Sequence, residues 1–443
     1  MAFLQSSNLR PTALPGRSAT STQPGCIQRG VALQVRAAAA SLTEAEEKLN
    51  KLIGREDTPL KLGYTMPGEF EPHEACWMGW PGGPDAKYLW REGAKPAEAQ
   101  YADVARTISQ FEPVQMLANP GTPAEEARNA FKFDKNVSVV EIPLNDGWAR
   151  DWGPSCVARA NPQTGKREVA ATHWDFDSYG GFRKRAEGFA AQVPDWKKDN
   201  AAGRLISEHV GIPIFEVPGF RLEGGSIHTD GQGTLIATEQ CLLHWSRNPD
   251  LGRSGIEAVL KEYLGLKKVI WLWKGMAGDD AITNGHVDNL AIFIRPGLVA
   301  LSWTNDENDP QFEISSAAYE ALQGTTDAQG KKIEVVKIPC PPPLFRTYKE
   351  AEGVAFDHVQ KGYNPRVPGE RLPASYINHF QANGGAVVPA FGGKATDTDR
   401  AAVQALQKAY GRERKVVGVK NSREVLLNAG NVHCITQQFP KAG

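Results

Sequence analysis

Residues 97–111 and 114–120 read AEAQYADVARTISQF and VQMLANP, and this pair decides the fold class. Apolar residues in the first segment recur at a spacing near 3.6, which predicts an amphipathic helix. The second segment is a short apolar run that ends at a proline, which predicts a buried strand. The same helix-then-strand order returns in three more pairs: 255–265 with 269–273, 314–323 with 333–339, and 399–411 with 415–420.

This recurrence predicts an α/β protein made of similar modules. The modules are unevenly spaced, which argues against a solenoid. The chain has 443 residues, 41% of them hydrophobic, which is ample material for a core. No low-complexity linker follows residue 45, so we expect residues 41–443 to form one compact catalytic domain.

The first forty residues differ in composition from the rest. They contain four arginines and many Ser, Thr and Ala, and no acidic residue precedes Glu44. A basic, hydroxyl-rich and acid-free leader of this kind is typical of an organelle transit peptide, and it has no continuous apolar segment of a secretory signal. We therefore expect residues 1–40 to direct the protein to the chloroplast, with the mitochondrion, or the cytoplasm if the leader is only a tail, as alternatives.

Charge and cysteine spacing narrow the classes of partner. The formal charge of the chain is −1, and it becomes −5 without the four leader arginines, so the mildly acidic body favours a cationic small molecule over nucleic acid. There is no C-x-x-C pair, so neither a disulfide framework nor a zinc finger is indicated. The longest apolar stretch, 289–303, is interrupted by Arg295 and Pro296 and is not a membrane span.

Four polar clusters lie after strand-like segments, either directly or beyond a short loop or turn. They are residues 145–154, 222–233, 284–289 and 428–434. Loops at strand ends are where sites are commonly built on a rigid scaffold. The chain lacks the phosphate-binding loop G-x-x-x-x-G-K-[ST], the zinc motif H-E-x-x-H and the nucleophile elbow G-x-S-x-G. Those three chemistries are therefore not indicated.

The clusters supply five candidate residues, and each alone has an ordinary structural explanation. Asp151 could be a surface ion-pair partner, and Glu223 could belong only to a tight turn. His286 and Asp288 could be half of a metal site, and Cys434 could be a buried structural thiol. We expect His286 and Asp288 to share one face of a strand, because residues i and i+2 of a strand point the same way.

Together, these five residues fit one kind of substrate. A guanidinium is a planar, permanently charged fork of N–H donors that matches carboxylates. Its central carbon needs a strong nucleophile, and a thiolate is favoured beside a cation. A histidine can then protonate the departing ammonia and activate water. One cysteine, one histidine and two or three acids are sufficient for guanidine hydrolysis without a metal or another cofactor.

Five longer motifs around these clusters carry a resemblance: GYTMPGEFEPHEACWMGWP (63–81), LEGGSIHTDGQGT (222–234), NGHVDNLAIFIRPGLVALSWTNDENDPQ (284–311), ASYINHFQANGGAVVPAFG (374–392) and NAGNVHCITQQFP (428–440). They resemble the agmatine deiminase family of the plant type, in the same order and over about residues 62–440. That family is part of the guanidino-modifying, or pentein, superfamily. The resemblance implies a five-bladed α/β propeller with pseudo-five-fold symmetry.

The resemblance also implies a reaction and residue roles. Agmatine and water would give N-carbamoylputrescine and ammonia, in putrescine and polyamine synthesis, through an amidino-cysteine intermediate on Cys434. His286 would be the general acid and base, Asp151 and Asp288 the guanidinium clamp, and Glu223 a residue that orients His286 and helps to bind the ligand. Three further residues are candidates for contacting the aminobutyl tail of the substrate: Trp80, Asp85 and Tyr179.

Three other functions stay open at the level of sequence. An arginine-directed deiminase would need a cation for the substrate carboxylate, and no arginine near the motifs is an obvious candidate. An amidinotransferase would keep the thiol but exclude water, and a guanidine-binding protein would have no activity. We expect agmatine as the small-molecule partner and a homodimer as the assembly, without a nucleic-acid, membrane or metal partner.

Overall fold

The computed structural model describes residues 43–443, so the predicted leader at residues 1–40 lies outside the described residues. The chain forms two units, Met1–Lys48 and Leu49–Gly443. In the first, the described residues 43–48 are helical, and the second is one compact unit. No helix within residues 43–443 combines the length and the apolar character needed to cross a bilayer.

The helices are α1 (43–53), α2 (Ala86–Leu89), α3 (Lys95–Ile108), α4 (Thr122–Ala130), α5 (Ala149–Trp152), α6 (Gly181–Ala186), α7 (Lys197–Val210), α8 (Glu239–Leu242), α9 (Gly252–Leu264), α10 (Pro310–Gln323), α11 (Tyr348–Ala351), α12 (Thr396–Tyr410) and α13 (Arg423–Leu426). Short 3₁₀ turns cover Arg91–Ala94, Gly224–Ser226, Val287–Asn289 and Gly393–Ala395.

The strands are β1 (His73–Gly79), β2 (Val114–Ala118), β3 (Val137–Glu141), β4 (Ser155–Ala160), β5 (Arg167–Asp175), β6 (Ile214–Arg221), β7 (Ile227–Thr229), β8 (Thr234–Thr238), β9 (Lys268–Leu272), β10 (Ala291–Arg295), β11 (Leu298–Trp303), β12 (Glu334–Pro339), β13 (Leu344–Phe345), β14 (Arg371–Leu372), β15 (Gly385–Pro389), β16 (Lys415–Val419) and β17 (Thr436–Pro440).

One strand plan recurs in the sheets of the described chain. In the orders β4-β5-β6, β7-β8-β9 and β10-β11-β12, the first pair is antiparallel and the second pair is parallel. The sheet β17-β1-β2-β3 follows the same plan with one more parallel strand. Strand β15 pairs in parallel with β16 and makes an antiparallel bridge from Val387 to Phe380. A short β13–β14 pair stands apart from this plan.

The four predicted helix–strand pairs are confirmed as α3–β2, α9–β9, α10–β12 and α12–β16. Two more pairs, α4–β3 and α7–β6, were not predicted. Helix α7 carries Gly203 in its interior, which weakens a helical pattern. Packing explains the glycine, because a Cβ there would lie 2.9 Å from the His173 ring and 3.0 Å from the Trp152 carbonyl oxygen.

Each helix buries an apolar stripe on its sheet. In α3 the stripe includes Tyr101, Val104 and Ile108, none of which is exposed. Strand β8, which has a neighbour on each side, is covered on both faces: all five of its residues are buried, and the three in its centre are apolar. The prediction of an α/β protein is therefore correct, and the buried strands fix the positions of the loops between them.

The last strand explains how a thiol near the C-terminus is held in place. Strand β17 pairs with β1, with Met78 opposite Thr436 and His73 opposite Pro440. Cys434 lies two residues before β17 and follows the short helix α13. The final turn of the chain is therefore tied to the first sheet rather than frayed.

Two glycines that end module helices provide a test of this packing. Gly211 after α7 and Gly265 after α9 both have left-handed backbones, with φ of 73° and 63°. An added Cβ meets nothing within 4 Å at Gly211 but would lie 2.0 Å from the Tyr64 carbonyl oxygen at Gly265. We expect Gly211→Ala to lower the free energy of unfolding by about 1–2 kcal/mol. Gly265→Ala should cost clearly more, and equal losses in urea unfolding would contradict this packing.

Candidate active site

Cys434 lies in a turn that is held by side chains from other modules. The Asn378 amide Nδ2 donates to the Cys434 Sγ at 3.1 Å, and the Asn378 Oδ1 accepts from the backbone N–H of His433 at 3.1 Å and of Cys434 at 3.3 Å. The backbone N–H of Arg150 donates to the Cys434 carbonyl at 3.2 Å. These contacts fix the thiol at the bottom of a closed site, where it is only 2% exposed.

Two carboxylates act on the Cys434 thiol. Its Sγ lies 3.6 Å from Asp288 Oδ2. Burial, followed by the negative charges of Asp288 and Asp151, raises the pKa of the thiol well above its usual value. In the absence of a cation, Cys434 is therefore a neutral thiol.

His286 occupies a tight turn and not a strand, so the expectation of a shared strand face with Asp288 was wrong. It immediately precedes the 3₁₀ turn Val287–Asn289, and the Thr283 hydroxyl accepts its backbone N–H at 3.1 Å. Gly285 before it has φ of 86°, which ends any extended conformation there. The turn nevertheless brings the side chains of His286 and Asp288 to the same site.

The imidazole of His286 lies between two acids. Its Nδ1 is 3.7 Å from Asp151 Oδ1, and its Nε2 is 3.5 Å from Glu223 Oε2. Burial alone lowers the pKa of His286, but Asp151, the Cys241 thiol and Glu223 outweigh it and raise the pKa well above its usual value. His286 is therefore an imidazolium, which is the form that can protonate a leaving amine.

Asp151 lies in the single-turn helix α5. Its Oδ2 accepts from the Tyr179 hydroxyl at 2.8 Å, and its Oδ1 accepts from the Gly225 N–H at 3.1 Å. Burial, and the neighbouring charge of Asp288, raise the pKa of Asp151 to about 6, although His286 opposes the shift. A bound cation would favour the ionised form of this carboxyl.

Glu223 is held by an arginine that sequence reasoning missed. The Arg247 Nε donates to Glu223 Oε1 at 2.9 Å and to Oε2 at 3.2 Å, and the arginine is fully buried. Burial opposes ionisation of Glu223, but Arg247 and His286 outweigh it and lower its pKa to about 2. Arg247 also donates to Asn284 Oδ1 at 2.8 Å and to the Thr283 carbonyl at 3.0 Å, which supports the turn before His286.

Gly225 lies at the point where the reactive groups meet. A Cβ built there would lie 2.6 Å from His286 Nδ1, 2.9 Å from Asp151 Oδ1 and 2.9 Å from Asp288 Oδ2. Only glycine fits at this point, because the three side chains pack directly against its backbone. They bring one imidazolium and two carboxylates together, and carboxylates match the planar fork of donors on a guanidinium.

Left-handed backbones at residues other than glycine occur in three of the site loops. They are Ser178 and Tyr179, with φ of 58° and 63°, Asn284, with φ of 63°, and Ala429, with φ of 65°. Such conformations cost of order 1–3 kcal/mol each and persist where surrounding contacts impose them. In the 428–434 loop, Ala429 carries this strain beside Gly430, whose added Cβ would lie 3.1 Å from the Cys434 Cβ.

A cavity leads to the thiol, and it is lined by Trp148, Asp151, Tyr179, Gln192, Ile282, Thr283, Asn428, Ala429, Gly430 and Cys434. Of the three predicted tail-binding residues, only Tyr179 lines it. Trp80 is buried against Phe131, with ring centroids 5.8 Å apart, and Asp85 interacts with the Tyr363 hydroxyl. The structure thus brings Asp151, Glu223, His286, Asp288 and Cys434 together but does not place Trp80 or Asp85 on the cavity wall.

Sequence reasoning also missed Asn378 and Glu69, whose Oε2 lies 2.7 Å from Nε2 of His433 beside the thiol. Glu69 and Asn378 fall inside the quoted motifs 63–81 and 374–392, so the motifs were a signal of their location. Their chemistry gave none, because a lone acid or amide has no characteristic spacing. Arg247 lies outside every quoted motif.

Two buried groups of three residues have side-chain atoms of the types that bind metals. The first group is Glu69, His228 and His433, and the second is Glu223, Cys241 and His286. Within the first group, His228 Nδ1 accepts the Phe293 N–H at 3.2 Å, so its Nε2 carries the proton. In the second group, Arg247 already neutralises Glu223. The acid of each group is thus already paired, Glu69 with His433 at 2.7 Å and Glu223 with Arg247 at 2.9 Å, which does not favour metal ligation.

Comparisons with known proteins agree with this geometry. Residues 65–440 match the family model of Porphyromonas-type peptidyl-arginine deiminases. The chain is 46% identical to agmatine deiminase of Medicago truncatula over 388 residues, which are 87% of this chain and 98% of that protein. It is 43% identical to agmatine deiminase of Pseudomonas aeruginosa over 86% of this chain and 97% of that one. The chain belongs to the agmatine deiminase family.

A solved structure of the family shares the fold. The agmatine deiminase of Enterococcus faecalis superposes with a TM-score of 0.77 at 38% identity, covering 87% of this chain and 98% of that one. The fold is therefore the pentein-type α/β fold of that family, and the chain is an enzyme of the hydrolase class. The prediction of the family, of the plant type, is confirmed.

A substitution at Gly225 tests the geometry of the site. In Gly225→Ala, the methyl group must displace His286, Asp151 or Asp288, and misplacement of reacting groups by about 1 Å costs on the order of 100-fold in rate. We expect at least that loss in turnover of a guanidine substrate, with a cooperative unfolding transition retained. The matched control is Gly418→Ala in β16, where a Cβ makes only ordinary contacts at 3.7 Å, and equal activity of the two variants would contradict the assignment.

Proposed function

We propose that this protein hydrolyses the guanidinium group of agmatine to N-carbamoylputrescine and ammonia, through an amidino-cysteine intermediate on Cys434. The observation that carries the proposal is the meeting of four side chains: His286, Asp151 and Asp288 pack against Gly225, and Asp288 Oδ2 lies 3.6 Å from the Cys434 Sγ. Family membership supports the same activity, because the plant and bacterial relatives are agmatine deiminases.

Asp151 and Asp288 form the guanidinium clamp. Asp288 Oδ1 has no hydrogen-bond partner among the described residues although it is buried, so it is available to accept from a ligand. Leaving a buried acceptor unpaired costs about 1–3 kcal/mol, and a substrate N–H donor would recover that free energy. The carboxylates would therefore bind the planar cation edge-on and present its central carbon to the thiol.

Substrate binding activates the nucleophile. Asp288 and Asp151 hold the pKa of the Cys434 thiol high, and a guanidinium between them cancels their effect. The thiol then ionises next to its target, and Asn378 Nδ2 and the turn backbone stabilise the sulfur. The enzyme thereby carries a reactive thiolate only when the cation is present.

His286 moves the protons. Attack of sulfur on the guanidinium carbon forms a C–S bond, and the C–N bond breaks as the His286 imidazolium gives its proton to the leaving ammonia. The thiol proton has already gone to solvent on ionisation, so His286 is left neutral and a planar thiouronium cation stays on Cys434. His286 then takes one proton from water as the water oxygen bonds to carbon. The C–S bond breaks to release the carbamoyl product, and the second proton of that water passes to the Cys434 sulfur, which restores the thiol and the imidazolium.

The cavity favours agmatine over arginine. None of its lining residues is cationic, so the carboxylate of arginine would meet no positive charge there. The buried Lys184 lies behind the wall, with its Nζ 3.5 Å from the Ile282 carbonyl, and burial lowers its pKa to about 8. An arginine-directed deiminase is therefore the weaker reading, and an amidinotransferase or an inactive binding protein has no observation that favours it.

The arrangement of the sheets supports a finer proposal about the fold. Within residues 43–443, five sheets share the antiparallel-then-parallel plan, and each contains a strand that follows a module helix. We infer that they are the five blades of a propeller with pseudo-five-fold symmetry. Four of the five loops between blades would then supply the catalytic residues.

Composition supports a cellular context. The acid-free leader favours import into the chloroplast, and the proposed product is a carbamoylated diamine, which suits a role in putrescine and polyamine synthesis. The homodimer and the lack of nucleic-acid and membrane partners stay predictions from the sequence.

The proposed reaction predicts a trapped adduct. The thiouronium is held by Asp151 and Asp288, so it should persist long enough for acid quenching during turnover. We expect a mass increase equal to agmatine less ammonia on the peptide that contains His433 and Cys434, and N-carbamoylputrescine as the released product. Arginine should give much slower turnover, and a chelator should leave the rate unchanged.

Cys434→Ser is the control for the adduct, because an alcohol is far less ionised than a thiol. It should show neither adduct nor useful turnover. Full activity in Cys434→Ser, or an adduct on Cys76, Cys156, Cys241 or Cys340, would identify a different nucleophile. Turnover without any adduct would indicate direct attack by water.

The leader predicts processing of the N-terminus. If residues 1–40 are removed on import, N-terminal sequencing of the protein from its source should give a start between about Ala37 and Glu44. Protein that retains Met1 in bulk would contradict both the transit peptide and the chloroplast location.

A further inference from the structure

A second histidine is buried behind the guanidinium clamp. His433 precedes the nucleophile, and its side chain is 1% exposed. Its Nδ1 lies 2.8 Å from Asp288 Oδ2, and its Nε2 lies 2.7 Å from Glu69 Oε2. A clamp carboxylate and a distant acid are therefore joined through one imidazole ring.

The ring can satisfy both acids only when both of its nitrogens carry protons. Burial and Arg150 by themselves lower the pKa of His433, but Glu69 and Asp288 outweigh them and raise it above its usual value. The same contact with His433 lowers the pKa of Asp288 against the effect of burial. Hence the ring is an imidazolium between two carboxylates.

Glu69 is fixed on its far side. The Gln381 N–H donates to Glu69 Oε1 at 2.8 Å, and Arg150 Nη2 lies 3.4 Å from Glu69 Oε2. Burial raises the pKa of Glu69, but His433 and Arg150 outweigh it and hold the carboxylate ionised. Glu69, which holds the His433 ring from the side opposite Asp288, thus comes from the segment before β1 and does not line the cavity.

We propose that His433, anchored by Glu69, is a positioning residue that holds Asp288 ionised and aimed at the substrate guanidinium. The inference rests on the proposed function for the identity of the ligand. His433 touches neither the cavity nor the reacting carbon, and it acts through Asp288.

The charged and titratable groups that face His433 come from several elements. Glu69 lies before β1, Arg150 in α5, His228 in β7 with ring centroids 6.0 Å apart, Asp288 in the 3₁₀ turn, and Cys434 in the same turn as His433. Both clamp carboxylates must be ionised to bind a cation. Asp151, whose pKa is about 6, gives the first loss of affinity as the pH falls, and Asp288, whose pKa is lowered by His433, gives a second loss at lower pH, which is the acid limb that His433 controls. Removing a charged donor raises the pKa of a carboxyl, so that limb must move to higher pH.

The experiment measures agmatine affinity against pH by calorimetry, in the full chain with Cys434→Ser to prevent turnover. In this background, the further substitution His433→Gln places an amide near the position of the imidazole Nε2. It removes the hydrogen-bond donor that faces Asp288. We expect the acid limb to rise by about 1 pH unit or more, as for loss of an opposite charge beside an acid. His433→Asn keeps a donor near the former Nδ1 and should shift the limb less, and Glu69→Gln should shift it in the same direction.

The matched control is His173→Gln, which removes a buried imidazole that pairs with Glu216 at 2.8 Å and with the Asn200 carbonyl at 2.8 Å. It should leave the acid limb in place. An unchanged limb in His433→Gln, or an equal shift in His173→Gln, would overturn the proposal.

A second readout does not depend on agmatine or on a folded His433 variant. In ¹⁵N-histidine-labelled wild-type protein, both ring nitrogens of His433 should remain protonated at pH 7. In the Glu69→Gln variant, the His433 ring should lose a proton at a lower pH than in the wild-type protein. A neutral His433 at pH 7 would refute the proposal that His433 holds Asp288 in place as an imidazolium. Failure of Cys434→Ser to bind agmatine at any pH would instead refute the proposed function.

Discussion

The buried charges of the site balance, and the rest of the structure depends on that balance. Four carboxylates, those of Glu69, Asp151, Glu223 and Asp288, face four cationic groups, those of Arg150, Arg247, His286 and His433. Isolated buried charges are too costly to persist, whereas paired and hydrogen-bonded ones are tolerated. In the proposed reaction, a guanidinium and a thiolate enter this neutral cluster as one further opposite pair, so substrate binding and ionisation of Cys434 would require each other.

The charged and nucleophilic side chains of the site come from different modules, which keeps them apart. Asp151 comes from α5, Glu223 from the loop after β6, Asp288 from the turn before β10 and Cys434 from the turn before β17. Each is held by its own partners, such as Tyr179 for Asp151 and Arg247 for Glu223. The charged side chains that pack against Gly225 are therefore fixed in place without a ligand, which is the preorganisation that electrostatic catalysis needs.

Helical spacing and apolar runs were sufficient to predict the module pattern, because those signals are local. The α7–β6 module was missed because Gly203 interrupts the helical pattern. A glycine is needed there only because the His173 ring, which is distant in sequence, packs against it. The same limit applies to the site. Its five candidate residues could be proposed from the combination of residue types and from family resemblance. Arg247 could not, because its partner Glu223 lies 24 residues earlier and only the folded chain brings them together.

The strain in the site loops follows from the same demand for fixed charges. Tyr179 adopts a left-handed backbone, and from there its hydroxyl reaches Asp151 at 2.8 Å. Asn284 adopts one and accepts from Arg247, which anchors the turn of His286. A relaxed backbone at either position would move a hydrogen-bond partner of a buried charge, and leaving such a group unpaired costs more than the strain itself. The loops therefore remain strained because the buried ions fix them there.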